Sequence, residues 1–255
     1  MLPLKSRIAR HEITIGSWIT LAHPAIAEIM AKAGFDWLTV EMEHSSITIR
    51  DAEELIRVID LCGVVPLVRV GENNRTLIKR VLDAGAHGVI VPMVNSREDA
   101  EQALQAARYP PDGCRGVGLA RAQHYGLDFD SYRKWNEQNS IVIAQIEHIR
   151  AVENLDQILS TGVDGFMIGP YDLSGSLGIP GQFTHPKFLE ALEHIRSVQA
   201  KTKVPAGYHV VRPNPQLVAD KIQEGYSLIA YSDDFLFLGE TCRQDLQTIR
   251  AAKHN

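Results

Sequence analysis

Residues 161–172 read TGVDGFMIGPYD, and this stretch contains the pattern that decides the fold. Gly162 comes just before the apolar run 166–168, and polar residues follow that run directly. Glycine can end a helix because it adopts the left-handed conformation that satisfies the last carbonyl groups. A strand buried on both faces of a parallel sheet has a continuous apolar sequence. The stretch therefore predicts a helix end, a buried strand and a polar strand end, in that order.

The same pattern recurs along the chain and predicts eight strands, at residues 13–18, 37–40, 64–68, 89–93, 141–146, 166–168, 204–208 and 227–231. Apolar residues at helical spacing predict helices between most of them, at residues 51–61, 74–82, 96–107, 148–159, 186–200, 215–224 and 235–252. Ser96, with Asp99 three residues later, is a predicted helix N-cap. Eight units of roughly 32 residues predict an α/β fold, a single (β/α)8 TIM-barrel domain over residues 1–255. A doubly wound open sheet is the alternative.

Composition argues against several classes of protein. The chain has 26 Lys and Arg against 31 Asp and Glu, a net charge of −5, so we expect no nucleic-acid partner. There is no run of about 18 apolar residues and no signal-peptide pattern at the start, so we expect no membrane partner and a cytoplasmic location. Cys62, Cys114 and Cys242 lack CxxC spacing, which fits a reducing compartment, and we assign them no role.

Acidic side chains follow two neighbouring strands. Glu147 comes after the fifth predicted strand and Asp172 after the sixth. The carboxyl ends of barrel strands lie on one face, where the active sites of such barrels are found. Two carboxylates there suit a hard divalent cation, although Asp172 is also a candidate N-cap of a short helix. The strand runs contain no lysine, which argues against a Schiff-base aldolase.

A histidine and an arginine belong to the same face. His44 follows Glu41 and Glu43, and a carboxylate-oriented histidine is suited to general acid–base chemistry. Arg69 is the only charged residue in 65–70 and needs a partner when buried. It can pair with Glu43 structurally or bind an oxyanion of a substrate. The Gly169–Pro170 turn exposes backbone N–H groups that can bind a carboxylate.

Six stretches together resemble one family: AGFDWLTVEMEH (33–44), VPLVRV (65–70), IKRVLDAGAHGVIVPMV (78–94), ARYPPDGCRGVGLARA (107–122), AQIE (144–147) and VDGFMIGPYDLSGSLG (163–178). In this order they are similar to the HpcH/HpaI family of metal-dependent pyruvate aldolases. The resemblance implies a class II aldolase, a carbon–carbon lyase that cleaves a 4-hydroxy-2-oxo acid to pyruvate and an aldehyde. It also implies a homohexamer whose C-terminal helix is exchanged between subunits.

The resemblance also implies roles for individual residues. Glu147 and Asp172 would hold Mg²⁺, Mn²⁺ or Co²⁺, with Gln145 supporting them. Arg69 would stabilise the pyruvate enolate. His44, beside Glu41, would be the acid–base residue. The substrate carboxylate would bind at Gly169, Tyr171 and Asp172. Asp83 would act at the site of a neighbouring subunit.

Two positions depart from the family pattern. Glu41 stands where the family usually has Asp, so His44 is oriented by Glu41, by Glu43 or by water. Tyr171 replaces a common Ala. Arg121, His124 and Tyr125, in the long connection 108–139, are candidates for the aldehyde side. A lyase acting on a CoA thioester and a barrel that binds oxo acids without turnover are the alternatives.

Overall fold

The computed structural model describes residues 2–252, and its centre is a closed barrel of eight parallel strands in sequence order. The strands are β1 (Thr14–Ile19), β2 (Trp37–Glu41), β3 (Val65–Arg69), β4 (Gly88–Val91), β5 (Ile141–Ile146), β6 (Gly165–Ile168), β7 (Ala206–Val210) and β8 (Leu228–Asp233). The predicted (β/α)8 barrel is confirmed, and the open sheet is wrong because β1 pairs with β8. Several strands extend one or two residues beyond the predicted ends.

The helices surround this barrel. They are α1 (Leu4–Ala9), α2 (Pro24–Lys32), α3 (Ile49–Leu61), α4 (Arg75–Asp83), α5 (Arg97–Ala107), α6 (Phe129–Asn139), α7 (Ile149–Glu153), α8 (Leu155–Leu159), α9 (Pro170–Ser176), α10 (Pro186–Thr202), α11 (Pro215–Gln223) and α12 (Asp234–Ala252). Ser96 is an N-cap as predicted, since its side chain accepts the N–H of Asp99 at 3.2 Å. The predicted helix 148–159 is divided at Asn154, whose side chain donates to the carbonyl of Asn95.

Two apolar clusters stabilise the fold. The larger one fills the space between the strands and the surrounding helices, where most of the helices bury one apolar face. The smaller one lies inside the barrel and includes Trp37, Leu67 and Ile143. Leu4 and Ile8 of α1 belong to this inner cluster. Helix α1 therefore closes the N-terminal end of the barrel, and the opposite end contains the polar strand ends.

Helix α12 differs from the others because Asp234 is its only buried residue among those described. Phe235, Leu238, Leu246 and Ile249 are large apolar residues that the helix leaves exposed. Contact with the barrel is made by Phe237, which packs on Tyr231 and Phe35. Most of the apolar surface of α12 thus has no partner within residues 2–252. Every helix in residues 2–252 is too short or too polar to cross a bilayer.

The inner cluster leads to the first prediction. A methyl group at Gly16 would overlap the indole of Trp37, which is fully buried inside the barrel. We expect Gly16→Ala to lower the free energy of unfolding by about 1–3 kcal/mol because the indole cannot move aside. The midpoint of urea unfolding measures this change.

Gly175→Ala is the matched control. Gly175 lies in α9 and has no heavy atom within 4 Å of an added Cβ. Alanine favours a helix over glycine, so this variant should be neutral or more stable by about 0.5–1 kcal/mol. Equal destabilisation by both substitutions would contradict the packing argument.

Candidate active site

Arg69 lies at the centre of the polar strand ends and is held by several groups. Its Nε donates to Glu41 Oε2 at 2.6 Å and lies 3.3 Å from Glu43 Oε2. Its Nη1 donates to Gln145 Oε1 at 3.4 Å, and its guanidinium carbon lies 4.5 Å from the centre of the Trp18 ring. The register of β2 and β3 pairs Glu41 with Arg69, so the two strand ends bring these charges together. Arg69 therefore has the structural partner considered above, and a second one in Glu41.

Glu147 is buried and its carboxylate is fixed from two sides. Oε1 accepts the backbone N–H of Met93 at 2.7 Å, and Oε2 accepts a hydrogen bond from Gln145 Nε2. A Cβ at Gly169 would lie 3.1 Å from Glu147 Oε2, so this close approach needs glycine. Met93 has a φ of 53°, a conformation uncommon for a residue with a side chain. This turn after β4 presents its N–H to Glu147.

A cavity of about 160 Å³ opens at these strand ends. The predicted residues His44, Arg69, Gln145, Gly169 and Asp172 all line it, as does Tyr171, whose ring packs edge-on against Phe183. The remaining lining residues are Trp18, Met167, Ile168, Pro170, His209 and Val211. The structure thus brings most of the predicted site together at one end of the barrel.

Acidic groups outnumber basic ones around this cavity. The pKa of Glu43 is raised to about 7, mainly by burial; the charge of Arg69 opposes this shift, and the charges of Glu147, Glu41 and Asp172 add to it. Burial also raises the pKa of Glu147, to which the charge of Asp172 contributes. Glu43 Oε2 is buried and has no hydrogen-bond partner in the part of the chain that the structure describes. Arg69 interacts with Glu41, Glu43 and Glu147, and the exposed Asp172 adds a fourth carboxylate, so negative charge is in excess at this end of the barrel.

This donor set fits a divalent cation. Carboxylates are the ligands that Mg²⁺ and Mn²⁺ prefer, and a cation would offset the mutual repulsion of the acids. Glu147 directly follows β5, and Asp172 lies in the first turn of α9, which follows the adjacent strand β6. No three His, Cys, Asp or Glu side chains within residues 2–252 are arranged as a complete ligand set. Water or substrate oxygens would have to complete the coordination, as is usual for Mg²⁺.

His44 is well exposed, with 64% of its side chain accessible. Its Nε2 lies 3.8 Å from Glu43 Oε2. Glu41 does not contact the imidazole: its Oε1 accepts the backbone N–H groups of Glu43 and His44 at 2.7 and 2.9 Å, and its Oε2 binds Arg69. Of the three groups considered for orienting the His44 ring, Glu43 is therefore the nearest carboxylate. Glu41 acts on the backbone and on Arg69 instead.

The turn into α9 differs from the expectation in two details. The N–H of Gly169 donates to the carbonyl of Ile146 at 3.2 Å, so it is not free for a carboxylate. Pro170 has no N–H, and the free N–H groups of the first turn are those of Tyr171 and Asp172. Gly169 is the N-cap of α9, so Asp172 lies in the first turn and is not the cap.

The remaining candidates lie outside this cavity. Asp83 ends α4 and its Oδ1 accepts from Arg115 Nη2 at 2.6 Å. Arg121, His124 and Tyr125 line a different cavity of about 630 Å³, where Arg121 binds Asp60 at 2.5 Å. Barrel helices run antiparallel to the strands, so the C-terminal end of α4, and with it Asp83, lies at the N-terminal face of the barrel, opposite the strand-end cavity. Arg121, His124 and Tyr125 do not line the strand-end cavity of their own chain, and their aldehyde-side role stays a prediction.

Sequence reasoning assigned no role to Trp18 or His209, although both line the cavity. His209 follows the seventh predicted strand, but with ten histidines in the chain the residue type gives no reason to select it. Trp18 ends the first predicted strand and fits its apolar pattern. Both residues lie near the carboxyl ends of their strands, β1 and β7. The sequence identifies such positions only when the strand boundaries are known to within one residue.

A barrel with an anchored arginine, a histidine and buried acids at one mouth is the arrangement of an aldolase-type carbon–carbon lyase. The chain belongs to the HpcH/HpaI aldolase/citrate lyase family, whose sequence profile matches residues 14–236. The expected family is thereby confirmed.

Individual relatives are similar to this protein over almost the whole chain. The 2-keto-3-deoxy-L-rhamnonate aldolase of Escherichia coli (strain K12) is 35% identical over 256 residues, covering 99% of this chain and 94% of that protein. A crystal structure of a family protein from Burkholderia cenocepacia J2315 has a TM-score of 0.91 at 34% identity, covering 97% of this chain and 98% of that one. An HpcH/HpaI aldolase from Desulfitobacterium hafniense DCB-2 has a TM-score of 0.89 at 31% identity, with coverage of 98% and 97%.

The raised pKa of Glu43 predicts a pH effect on stability in the absence of metal. Because this pKa rises from 4.5 to about 7, the folded protein binds more protons than the unfolded chain between these values. Stability is therefore lost as pH rises through this window. We expect Glu43→Gln to be more stable, relative to the parent protein, at pH 8 than at pH 5. Urea unfolding in EDTA at both pH values measures the difference.

The exposed Glu28 provides the control. Glu28→Gln should shift stability equally at pH 5 and pH 8. If Glu43→Gln also gave the same shift at both pH values, the buried carboxylate cluster would not govern the pH dependence.

Proposed function

We propose that the protein is a metal-dependent class II aldolase that cleaves a 4-hydroxy-2-oxo acid to pyruvate and an aldehyde. The observation that carries the proposal is the fixed position of Arg69, which two glutamates, Gln145 and Trp18 hold at the wall of a cavity next to Glu147. Preorganised positive charge of this kind stabilises negative charge that develops on a substrate oxygen.

Glu147 and Asp172 would hold the Mg²⁺, Mn²⁺ or Co²⁺ ion. A bound divalent ion supplies Lewis-acid polarisation of the 2-oxo group. Gln145 supports this pair because it donates to Glu147 and accepts from Arg69, which ties the acid to the arginine. The N–H of Met93 fixes the other oxygen of Glu147. The carboxylate is therefore oriented before any ligand enters.

Cleavage requires a base for the 4-hydroxyl proton and a sink for the electrons of the C3–C4 bond. His44 would take the proton, with Glu43 Oε2 as its nearby carboxylate. The C3–C4 bond breaks, the aldehyde leaves, and Arg69 stabilises the charge on the 2-oxo oxygen. A proton then returns to C3 and gives pyruvate. The free N–H groups of Tyr171 and Asp172 would bind the substrate carboxylate.

The relatives support the chemistry and suggest a substrate class. The name of the Escherichia coli relative specifies a keto-deoxy sugar acid, which is a 2-oxo acid with several hydroxyl groups. A cavity of about 160 Å³ with one arginine and backbone N–H groups suits a small oxo acid better than a CoA thioester. We therefore favour an oxo-acid aldolase over a lyase that acts on a CoA thioester.

The quaternary structure and the location are part of the proposal. We propose a cytoplasmic homohexamer in which α12 packs on another subunit. The exposed apolar residues of α12, such as Leu238 and Ile249, support this because such residues are buried by contact with a partner. Asp83 faces away from its own strand-end cavity, so a catalytic role for it would require a neighbouring subunit.

Removing the metal is the direct test of the reaction. We expect pyruvate release from a panel of 4-hydroxy-2-oxo acids in Mg²⁺, Mn²⁺ or Co²⁺, and loss of at least about 100-fold in EDTA. Glu147→Gln should weaken Mn²⁺ binding measured by calorimetry while the circular dichroism spectrum stays unchanged. Lys134, which is remote from the cavity, provides the control substitution Lys134→Gln. Full pyruvate release in EDTA would refute the metal-dependent mechanism.

The inter-subunit role of Asp83 predicts subunit complementation. If Asp83 of one subunit serves the site of its neighbour, a mixed oligomer of Asp83→Asn and His44→Ala contains some sites with both intact residues. We expect each variant alone to lose activity and the mixture, after dissociation and reassembly, to recover a fraction of it. Absence of recovery, with mixed oligomers shown by native mass spectrometry, would place Asp83 in a purely structural pair with Arg115.

A further inference from the structure

The proposed mechanism leaves one histidine of the cavity without a task. His209 lies near the carboxyl end of β7 and lines the cavity together with Arg69, Gln145 and Gly169. Its ring centre lies 5.2 Å from that of Trp18, at an angle of 52°. Arg69 stacks on the same indole. Trp18 therefore holds His209 and Arg69 in fixed positions at one wall.

Two nitrogens of this wall lack partners. His209 Nε2 and Trp18 Nε1 are buried and have no hydrogen-bond partner among the described residues. Buried polar groups in native proteins are almost always satisfied, because each unsatisfied group costs about 1–3 kcal/mol. Both side chains line the cavity, so a polar group that enters the cavity is a natural partner.

The charge of His209 restricts what that partner can be. Burial, and after it the charge of Arg69, lowers the pKa of His209 to about 3, so the ring is neutral at physiological pH. A neutral imidazole carries one donor and one acceptor, as a hydroxyl group does. The imidazole is therefore complementary to a hydroxyl group. The substrate's carboxylate and 2-oxo oxygen only accept hydrogen bonds, and backbone N–H groups and Arg69 provide the donors for them.

We infer that His209, together with Trp18, hydrogen-bonds a hydroxyl group on the aldehyde half of the substrate. The pyruvate half offers only its carboxylate, its oxo oxygen and a carbon chain, and the proposed function already provides partners for those oxygens. A hydroxyl on the aldehyde half is the remaining polar group. His209 is thus a specificity residue that selects hydroxyaldehydes, and this inference rests on the proposed function.

The test uses the reaction in the synthetic direction with the full-length, Mg²⁺-loaded enzyme. Glycolaldehyde and acetaldehyde are acceptors that differ by one hydroxyl group, and the ratio of their kcat/KM values with pyruvate measures selection. We expect His209→Leu to lower this ratio about tenfold, which is the effect of losing a neutral hydrogen bond. His209→Gln, whose amide both donates and accepts, should restore most of the ratio.

The control is His194→Leu, which replaces an exposed histidine on α10 and should leave the ratio unchanged. A general loss of folding would lower both kcat/KM values together and cannot move the ratio. An unchanged ratio in His209→Leu would overturn the inference and indicate that water alone satisfies the two nitrogens.

Deuterium exchange at the methyl group of pyruvate separates the two hypotheses. This exchange, followed by NMR in D₂O, needs enolisation but no aldehyde. Metal-dependent exchange in the parent protein with an unchanged acceptor ratio in His209→Leu refutes only the role of His209. Absence of both exchange and aldol product in the parent protein refutes the proposed function, and the role of His209 with it.

Discussion

The ion pair of Arg69 with Glu41 is the interaction on which the rest of the site depends. Glu41 is almost fully buried, and a buried carboxylate is stable only with a charged partner and hydrogen bonds. The same carboxylate accepts two N–H groups from the turn that carries His44. One side chain thus fixes both the cation and the loop of the proposed base.

The larger elements were predictable because each rests on a strong local pattern. The strand at 166–168 was evident from three apolar residues between Gly165 and Gly169, and α3 from its regular apolar spacing. Arg69, Glu147 and Asp172 followed from their positions after such runs. Strand ends were less accurate, since the apolar run at 204–208 does not show that β7 continues to Val210.

Other features depend on contacts between residues far apart in the chain. The loop residues Arg121 and Tyr125 had a functional composition, but their place beside Asp60 follows from how the long connection packs below the barrel. The hydrogen bond of the Gly169 N–H to Ile146 depends on the register of β5 and β6, which pairs Ile146 with Ile168. The contact of Met93 with Glu147 could not be predicted either, because it uses the backbone N–H, which every residue except proline has.

Helix α1 has a consequence for how the boundaries of this barrel are drawn. The family profile begins at residue 14, after the helix that contributes Leu4 and Ile8 to the barrel interior. A truncated chain cut at that boundary would keep all eight strands and every proposed active-site residue. Its barrel would nevertheless be open at the N-terminal end, and water would reach the apolar interior there. The stretch that the family profile matches therefore lacks the helix that closes the N-terminal end of the barrel.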